Sequence, residues 1–406
     1  MRPVLTKKFH LLLGRFAIFL SLFALALQAG AQEGEKQLPV EISYSNKGLQ
    51  FQTSDNRFLL QIQNRFQFRY ATPSDQTPVD LTTYTEDNQQ VFKIRRSRFK
   101  VGGHAYQPWL KYYFEYDWGS SSLLDYRLML EKWEFLNFKI GQWKIYYNRE
   151  RVISSGKQQL VDRSLINRAF TIDRQMGISV YGRLLKKTWA DFTYHLTVAT
   201  GNGRGNTSND DEHLMYVGRI QWNLFGRELP MTSSDLEYHE QFTGSIAGAM
   251  STNNSAYTRF STSGGGQLEN FTSDTVGQYR THQFLIETAF MYKGFSWLQE
   301  YHQKEIRDHY HAQTTRMEGY FAQAGYFFHH AFSWFPKKLE IAGRYAAYRP
   351  DISHYSNAIE AYSIAANWFF KGHRNKLTAD FTCFNSFEEN GLFDGNRFRI
   401  QWDVSF

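Results

Sequence analysis

Alternation of apolar and polar side chains along much of the chain predicts β-strands with one apolar and one polar face. The clearest example is the C-terminal stretch 397–406 (RFRIQWDVSF), where apolar residues fill every second position. Because successive side chains of a strand point to opposite faces, this period of two indicates strands rather than helices. The pattern recurs at 58–70, 110–118, 192–198 and 214–224, and more weakly at 136–142, 284–292, 318–328, 339–347, 359–369 and 377–384.

The composition narrows the class of β-protein. Aromatic residues make up 17% of the chain, yet the mean hydropathy is −0.53. A soluble β-sandwich would be expected to have a core rich in Val, Ile and Leu. Aromatic apolar faces opposite charged faces are instead typical of an outer-membrane β-barrel, whose strands face lipid on one side and a wet lumen on the other. We therefore predict an all-β, antiparallel up-and-down transmembrane barrel.

The predicted barrel has about sixteen strands, although fourteen or eighteen would fit nearly as well. Sixteen strands give about 23 residues to each strand and its connection, which suits strands of about nine to eleven residues with short turns and longer loops. Turn-forming residues cluster at Gly119–Ser122, Gly201–Asp211, Asn253–Ser255, Thr262–Gly266 and Asp394–Asn396.

The N-terminus has the three parts of a signal peptide. Basic residues precede the apolar run 16–27, and Ala29-Gly30-Ala31 supplies a small-residue cleavage pattern. We predict a signal peptide at 1–31 cleaved after Ala31, a polar lead-in at 32–54 and a barrel domain at 55–406. Four of the positive charges behind the net charge of +7 lie in this leader, so the remainder does not indicate a nucleic-acid partner. The single cysteine, Cys383, excludes an intramolecular disulfide.

The segment 91–103 (VFKIRRSRFKVGG) concentrates positive charge within a strand-like pattern. Its apolar phase slips between Ile94 and Phe99, which predicts a bulge or strand break near Arg95 and Arg96. After the slip, Arg96, Arg98 and Lys100 share the lumen face, because one such charge on the lipid face at the midplane costs about 2–4 kcal/mol. Basic residues in a pore favour anions. The alternative is a structural ladder of ion pairs with the lumen carboxylates Glu115, Asp117, Asp125 and Glu131.

These residues also resemble a known family. Phe92-x-x-Arg95-Arg96-x-Arg98, then Gly141-Gln142-x-Lys144, Asn148-Arg149-Glu150, Asp162-Arg163-Ser164 and Asn167-Arg168-Ala169-Phe170, are similar to the signature of the phosphate-selective porin O and P family. The resemblance implies a sixteen-stranded barrel in the outer membrane of Gram-negative bacteria, usually trimeric, with a loop that narrows the lumen. It also implies passage of phosphate or polyphosphate past basic side chains. Together, motif and residue pattern give these candidate anion-pathway residues: Arg95, Arg96, Arg98, Lys100, Lys144, Arg149 and Arg163.

The last strand adds a further resemblance. Alternating aromatics that include Trp402 and end at Phe406 look like the C-terminal signal that outer-membrane barrels present to the barrel-assembly machinery. The predicted partners are thus outer-membrane lipid, small anionic solutes, this machinery and two further copies of the chain in a homotrimer.

Other motifs do not indicate chemistry. His302, His309 and His311 lie near a predicted turn, and we interpret them as solvated rather than metal-binding. The stretch 209–212 is interpreted as a solvated acidic turn, and no Gly-x-Ser-x-Gly motif occurs. We expect no cofactor, no metal and no enzymatic activity. A passive anion porin is favoured, and the alternatives are a general unselective porin or a non-conducting barrel that serves as an adhesin or scaffold.

Overall fold

The computed structural model describes residues 38–75, 90–206, 208–261, 265–353, 358–388 and 391–406. The predicted signal peptide and residues 262–264 of one predicted turn lie outside these ranges. The strands are β1 Val40–Ser45, β2 Gly48–Thr53, β3 Leu59–Thr72, β4 Val91–Ala105, β5 Gln107–Asp117, β6 Ser122–Leu130, β7 Asn137–Lys144, β8 Arg174–Leu184, β9 Phe192–Ala199, β10 Met215–Asn223, β11 Thr243–Ser255, β12 Tyr279–Tyr292, β13 Phe295–Asp308, β14 Gln313–Tyr326, β15 Leu339–Arg349, β16 Ile359–Phe369, β17 Asn375–Glu388 and β18 Gly391–Ser405. The short helices are α1 Arg149–Val152 and α2 Asn167–Phe170.

The strands β3 to β18 form a closed antiparallel barrel of sixteen strands, as predicted. Each strand pairs with the next in sequence, and β18 pairs back onto β3 from Phe398–Thr72 to Ser405–Arg65. Closure leaves the barrel strands without a free edge. The end where β3 begins and β18 ends is called the terminal rim here, and the opposite end is called the loop rim. No helix in the described ranges has the length and apolarity needed to cross a membrane.

The faces of the strands follow the predicted alternation. In β3, Arg65, Gln67 and Arg69 are buried inside the barrel, whereas Phe66 and Phe68 point outward and stack on each other. The predicted bulge in β4 is confirmed, because Gln67 pairs with Arg96 and Phe68 pairs with Ile94. Arg95 is therefore the extra residue, and the residues after it change face.

Two parts of the sequence behave differently from expectation. The polar lead-in contains the hairpin β1–β2, and Leu49–Gln52 of β2 pair with β3 beside the closing strand. Predicted turns at Asn253–Ser255 and Asp394–Asn396 are wrong, since these residues belong to β11 and β18. Their ladder partners on β12 and β17 satisfy the backbone groups that turn residues would leave free.

Residues 145–173, which join β7 to β8, fold into the barrel. Ile153, Ile166 and Phe170 of this segment pack against wall residues such as Leu298 and Phe321. A second apolar cluster joins Tyr147 and Ile172 of the same segment to Val217 and Leu285. One side of the lumen, along β9 to β16, is thus a packed apolar core, and we call residues 145–173 the constriction loop.

Candidate solute pathway

The start of the constriction loop is fixed by two buried carboxylates of the wall. Glu287 on β12 accepts a hydrogen bond from the backbone N–H of Arg149 at 2.8 Å and forms an ion pair with Arg219 at 2.7 Å. Glu300 on β13 accepts hydrogen bonds from the N–H of Glu150 at 2.7 Å and from Asn148 at 2.9 Å. These contacts satisfy N–H groups of α1 that have no partner within the helix.

The middle of the loop is joined to the opposite wall through Asp162. Its carboxylate lies 2.5 Å from Arg69, 3.5 Å from Arg399 and 3.8 Å from Arg96. Burial alone would raise the pKa of Asp162, but the charges of Arg69, Arg95 and Arg399 outweigh it and hold that pKa well below its usual value of 3.8. Arg96 also donates to Gln67 at 2.8 Å, so it belongs to this anchor.

Arg163 stabilises the shape of the loop itself. Its guanidinium donates to the backbone carbonyls of Glu150 at 3.0 Å, Arg151 at 3.2 Å and Ile153 at 2.8 Å. Burial, reinforced by the nearby charge of Arg151, lowers the pKa of Arg163 to about 9. Three carbonyls arranged around one planar fork are a geometry that lysine cannot match.

The basic residues of β4 divide into paired and unpaired groups. Arg98 lies 2.9 Å from Glu115 and 3.2 Å from Asp117 on β5, so it is part of the ion-pair ladder that the alternative interpretation expected. Within the described ranges, Lys100 has no carboxylate within ion-pairing distance, although it faces the same side of the lumen. Arg95, at the bulge, is exposed.

The remaining two candidates lie at the base of the loop. Lys144 donates to the carbonyl of Arg151 at 3.2 Å and lies within the field of Arg163, Arg174 and Arg98. Arg149 is buried and donates to the carbonyl of Pro230. Burial lowers the pKa of Arg149 to about 10. The structure therefore brings Lys144 and Arg163 together near Arg98, and places Arg149 on the apolar side of the loop.

A cavity of about 800 Å³ opens below the loop toward the terminal rim. Its wall includes Arg65 and Lys100 from the barrel, together with Ser154 and Lys157 from the loop. Its charged lining residues, with two histidines, are Lys47, Arg65, Lys100, His104, Lys111, Lys157, Glu237, Lys371, His373 and Arg374. Lys111 pairs at 2.6 Å with Glu131. Cations therefore far outnumber carboxylates around this water-accessible space.

Most of these cavity residues escaped the sequence analysis. Lys47, Lys157, Lys371 and Arg374 lie in turns or connections far apart in the chain, and the alternating pattern carries no signal for them. Arg65 shares the polar face of β3 and could have been found by that signal.

Two other predicted groups are placed as follows. His302 is buried and lies 2.9 Å from Glu300, so its interpretation as a solvated residue is wrong. No group of three or more His, Cys, Asp or Glu side chains in the described ranges is arranged to hold a metal ion.

Phe406 exchanges backbone hydrogen bonds with Asn64 at 2.7 and 3.1 Å, and Trp402 donates to Asn375 at 2.9 Å on the outer face.

Comparison with known proteins gives a family and a fold. The family model described as phosphate-selective porin O and P matches residues 66–384. The outer membrane channel DcaP of Acinetobacter baumannii is similar with a TM-score of 0.56 at 11% identity, covering 88% of this chain and 99% of that chain. The anion-selective porin from Comamonas acidovorans is similar with a TM-score of 0.54 at 10% identity, covering 86% and 99%. At such identities the likeness concerns the fold alone. No curated protein matches the chain in sequence.

Proposed function

Because this chain belongs to the phosphate-selective porin O and P family and is an outer-membrane porin, we propose that it is a passive channel that prefers small anions, including phosphate. The observation that carries this proposal is the lining of the cavity below the constriction loop. There, Lys100 and Lys157 both line the space, and neither has a carboxylate within ion-pairing distance in the described part of the chain. A cleft lined by one sign of charge concentrates ions of the opposite sign.

The proposed route runs between the constriction loop and the wall formed by β3 to β8. The apolar clusters hold the loop against the other wall, which leaves its basic side toward Lys144 and Arg98. Arg98 keeps its two carboxylates and serves mainly to order the wall, whereas Lys100 and Lys157 act on the passing ion. Anions then replace part of their hydration with lysine donors on the way through.

Other activities are less well supported by the residues. A general unselective porin would follow if Glu115, Asp117 and Asp125 cancelled the field of the basic wall, because Arg98 and Arg174 are paired with them. The excess of cations in the cavity argues against that cancellation. A non-conducting adhesin or scaffold would need a closed lumen, and zero conductance in a planar bilayer would support that alternative. We propose that the channel performs no chemical conversion.

The partners follow the same reasoning. We propose that the chain forms a homotrimer surrounded by outer-membrane lipid, and that the barrel-assembly machinery recognises its last strand. The outward aromatic residues Phe66, Trp402 and Phe406 support the lipid contact and the assembly signal. Mass photometry in detergent, with a mass three times that of one chain as the expected result, tests the trimer.

A reversal-potential experiment tests the anion preference. In a planar bilayer with a potassium chloride gradient, the wild-type channel is expected to reverse on the anion side, and millimolar-order phosphate is expected to reduce its current. Lys100→Gln and Lys157→Gln should each move the reversal potential toward zero and weaken the block by phosphate. The matched control is Lys338→Gln, an exposed lysine in the connection between β14 and β15 outside the cavity lining. A wild-type potential near zero with no effect of phosphate would instead support the unselective porin.

A further inference from the structure

The outer wall of the barrel carries a groove of about 940 Å³ that spans β8 to β14 near the loop rim.

One row of paired residues across neighbouring strands lines the groove. It runs from Tyr216 on β10 past His282 on β12 to Glu305 on β13 and Arg316 on β14. The row therefore changes from apolar to charged as it crosses the sheet.

The charged end of the groove has a surplus of guanidinium groups. Arg280 on β12 stands directly opposite Arg307 on β13, and like charges in this position repel each other. Glu305 accepts from Arg307 at 2.6 Å and from Arg316 at 2.9 Å, so one carboxylate serves two arginines. Within the described ranges Arg280 has no carboxylate within ion-pairing distance. An anion beside Arg280, Arg307 and Arg316 would relieve this repulsion.

The other end of the groove is apolar and shallow. Leu196 and Met250 are 57% and 65% exposed there, and Gly218 lies between them on the ladder. A Cβ atom at Gly218 would come no closer than 3.8 Å to Leu196, so the missing side chain leaves open space rather than relieving a clash. This end can accept a flexible hydrocarbon chain.

We propose that the groove binds a phosphate-bearing lipid, with the phosphate at Arg280, Arg307 and Arg316 and an acyl chain over Gly218. Because barrel strands are tilted in the membrane, a row of residues that runs across them passes from the hydrocarbon region toward the headgroups. The groove has the matching order, from apolar to charged side chains. Arginine forks fit phosphate oxygens. The site lies on the outer wall, so it depends on the membrane location and not on the anion preference of the lumen.

Native mass spectrometry of the delipidated, folded protein in detergent tests the proposal. Phosphatidic acid is the probe, and phosphatidylcholine and inorganic phosphate are added separately. The wild type is expected to retain phosphatidic acid, and the double variant Arg280→Gln/Arg316→Gln should bind it about tenfold or more weakly. Gly218→Leu should also lose the lipid, because its side chain would fill the groove. Unchanged heat mobility on a seminative gel shows that each variant is folded.

Two control variants make the result specific. Gly343→Leu adds the same side chain at an exposed outer-wall glycine on β15, and Lys338→Glu removes an exposed cation elsewhere; both should bind as the wild type does. Equal retention by all variants, or equal retention of phosphatidylcholine, overturns the proposal. Binding of inorganic phosphate alone with no lipid would also overturn it, as would loss of the oligomer rather than of lipid in the arginine variant, which would assign the surface to a second copy of the chain.

Discussion

Oδ2 of Asp162 lies 2.5 Å from Nη1 of Arg69, and this ion pair joins the constriction loop to the wall opposite its apolar packing. The loop is therefore held from both sides. Apolar contacts fix one face against β9 to β16, and a carboxylate among arginines fixes its middle to β3, β4 and β18. The width of the channel depends on both attachments.

Asp162→Asn is expected to loosen the loop. Asp162→Asn removes the charge shared by three arginines, but Arg69 and Arg399 keep Asp75 and Asp380 as partners, so the expected cost is about 1–3 kcal/mol. Single-channel recordings should show a larger or noisier conductance, and urea unfolding should show lower stability. Glu228→Gln, at an exposed carboxylate, is the control and should change neither. A quiet, unchanged current in Asp162→Asn would show that the apolar clusters alone hold the loop.

The same carboxylate predicts the response to acid. The pKa of Asp162 is lower in the folded protein than in the unfolded chain. Its contribution to folding stability is therefore complete above pH 3.8 and is lost only as the pH falls through the lower folded pKa. The difference in conductance between wild type and Asp162→Asn should therefore stay constant from neutral pH down to about pH 4. Single-channel recordings at several pH values measure this. A difference that disappears near neutral pH would contradict the low pKa.

Arg98→Ala is expected to act differently from Lys100→Ala. Loss of Arg98 removes the ion-pair partner of Asp117 and leaves Glu115 only the longer contact with Arg174 at 3.9 Å, so selectivity should shift strongly toward cations and stability should fall. Loss of Lys100 should reduce anion preference with little cost in stability. The triple variant Arg98→Ala/Glu115→Gln/Asp117→Asn should recover most of the lost anion preference. Reversal potentials and urea midpoints separate the two effects; identical results for both single variants would reject this division.

Arg163→Lys should disturb the loop although the charge is kept. A lysine cannot donate to the three carbonyls of Glu150, Arg151 and Ile153 at once, and each lost hydrogen bond costs about 0.5–1.5 kcal/mol. Proteolysis of the folded protein should then cut within residues 145–173 faster than in the wild type. Lys338→Arg, a change of the same type at an exposed site, provides the comparison.

Phe406 contributes to the closure of the barrel through both its backbone and its ring. Its backbone extends the β18–β3 ladder through Asn64, and its ring stacks on Phe66 with centroids 6.0 Å apart. Phe406→Ala keeps the ladder and should lose only about 0.5–1.5 kcal/mol, whereas deletion of the residue should slow folding into vesicles more strongly. Heat mobility on gels after refolding gives the rates. Equal rates for both variants would mean that the backbone contact is unimportant.

The alternation of residues indicated most of the barrel strands and their faces, although it did not single out β6, β8, β11 and β13. In β18 the buried set Arg399, Gln401 and Asp403 is the polar set of the sequence pattern. The bulge at Arg95 was also predicted, because a one-residue slip changes the face of every later side chain. Turn-like residues at Asp394–Asn396 misled the analysis, since pairing with β17 overrides a weak local preference.

The sequence by itself determined a barrel with a basic lumen strand, because a period of two and the cost of charge in lipid are local properties of neighbouring residues. Only the tertiary structure decided which cations are paired. Arg98 forms an ion pair with Glu115 on the next strand, and Arg96 forms one with Asp162 of the distant constriction loop. Lys100 lines the same cavity as Lys157. Such pairings depend on chain closure and loop packing, which bring together residues that no sequence period relates.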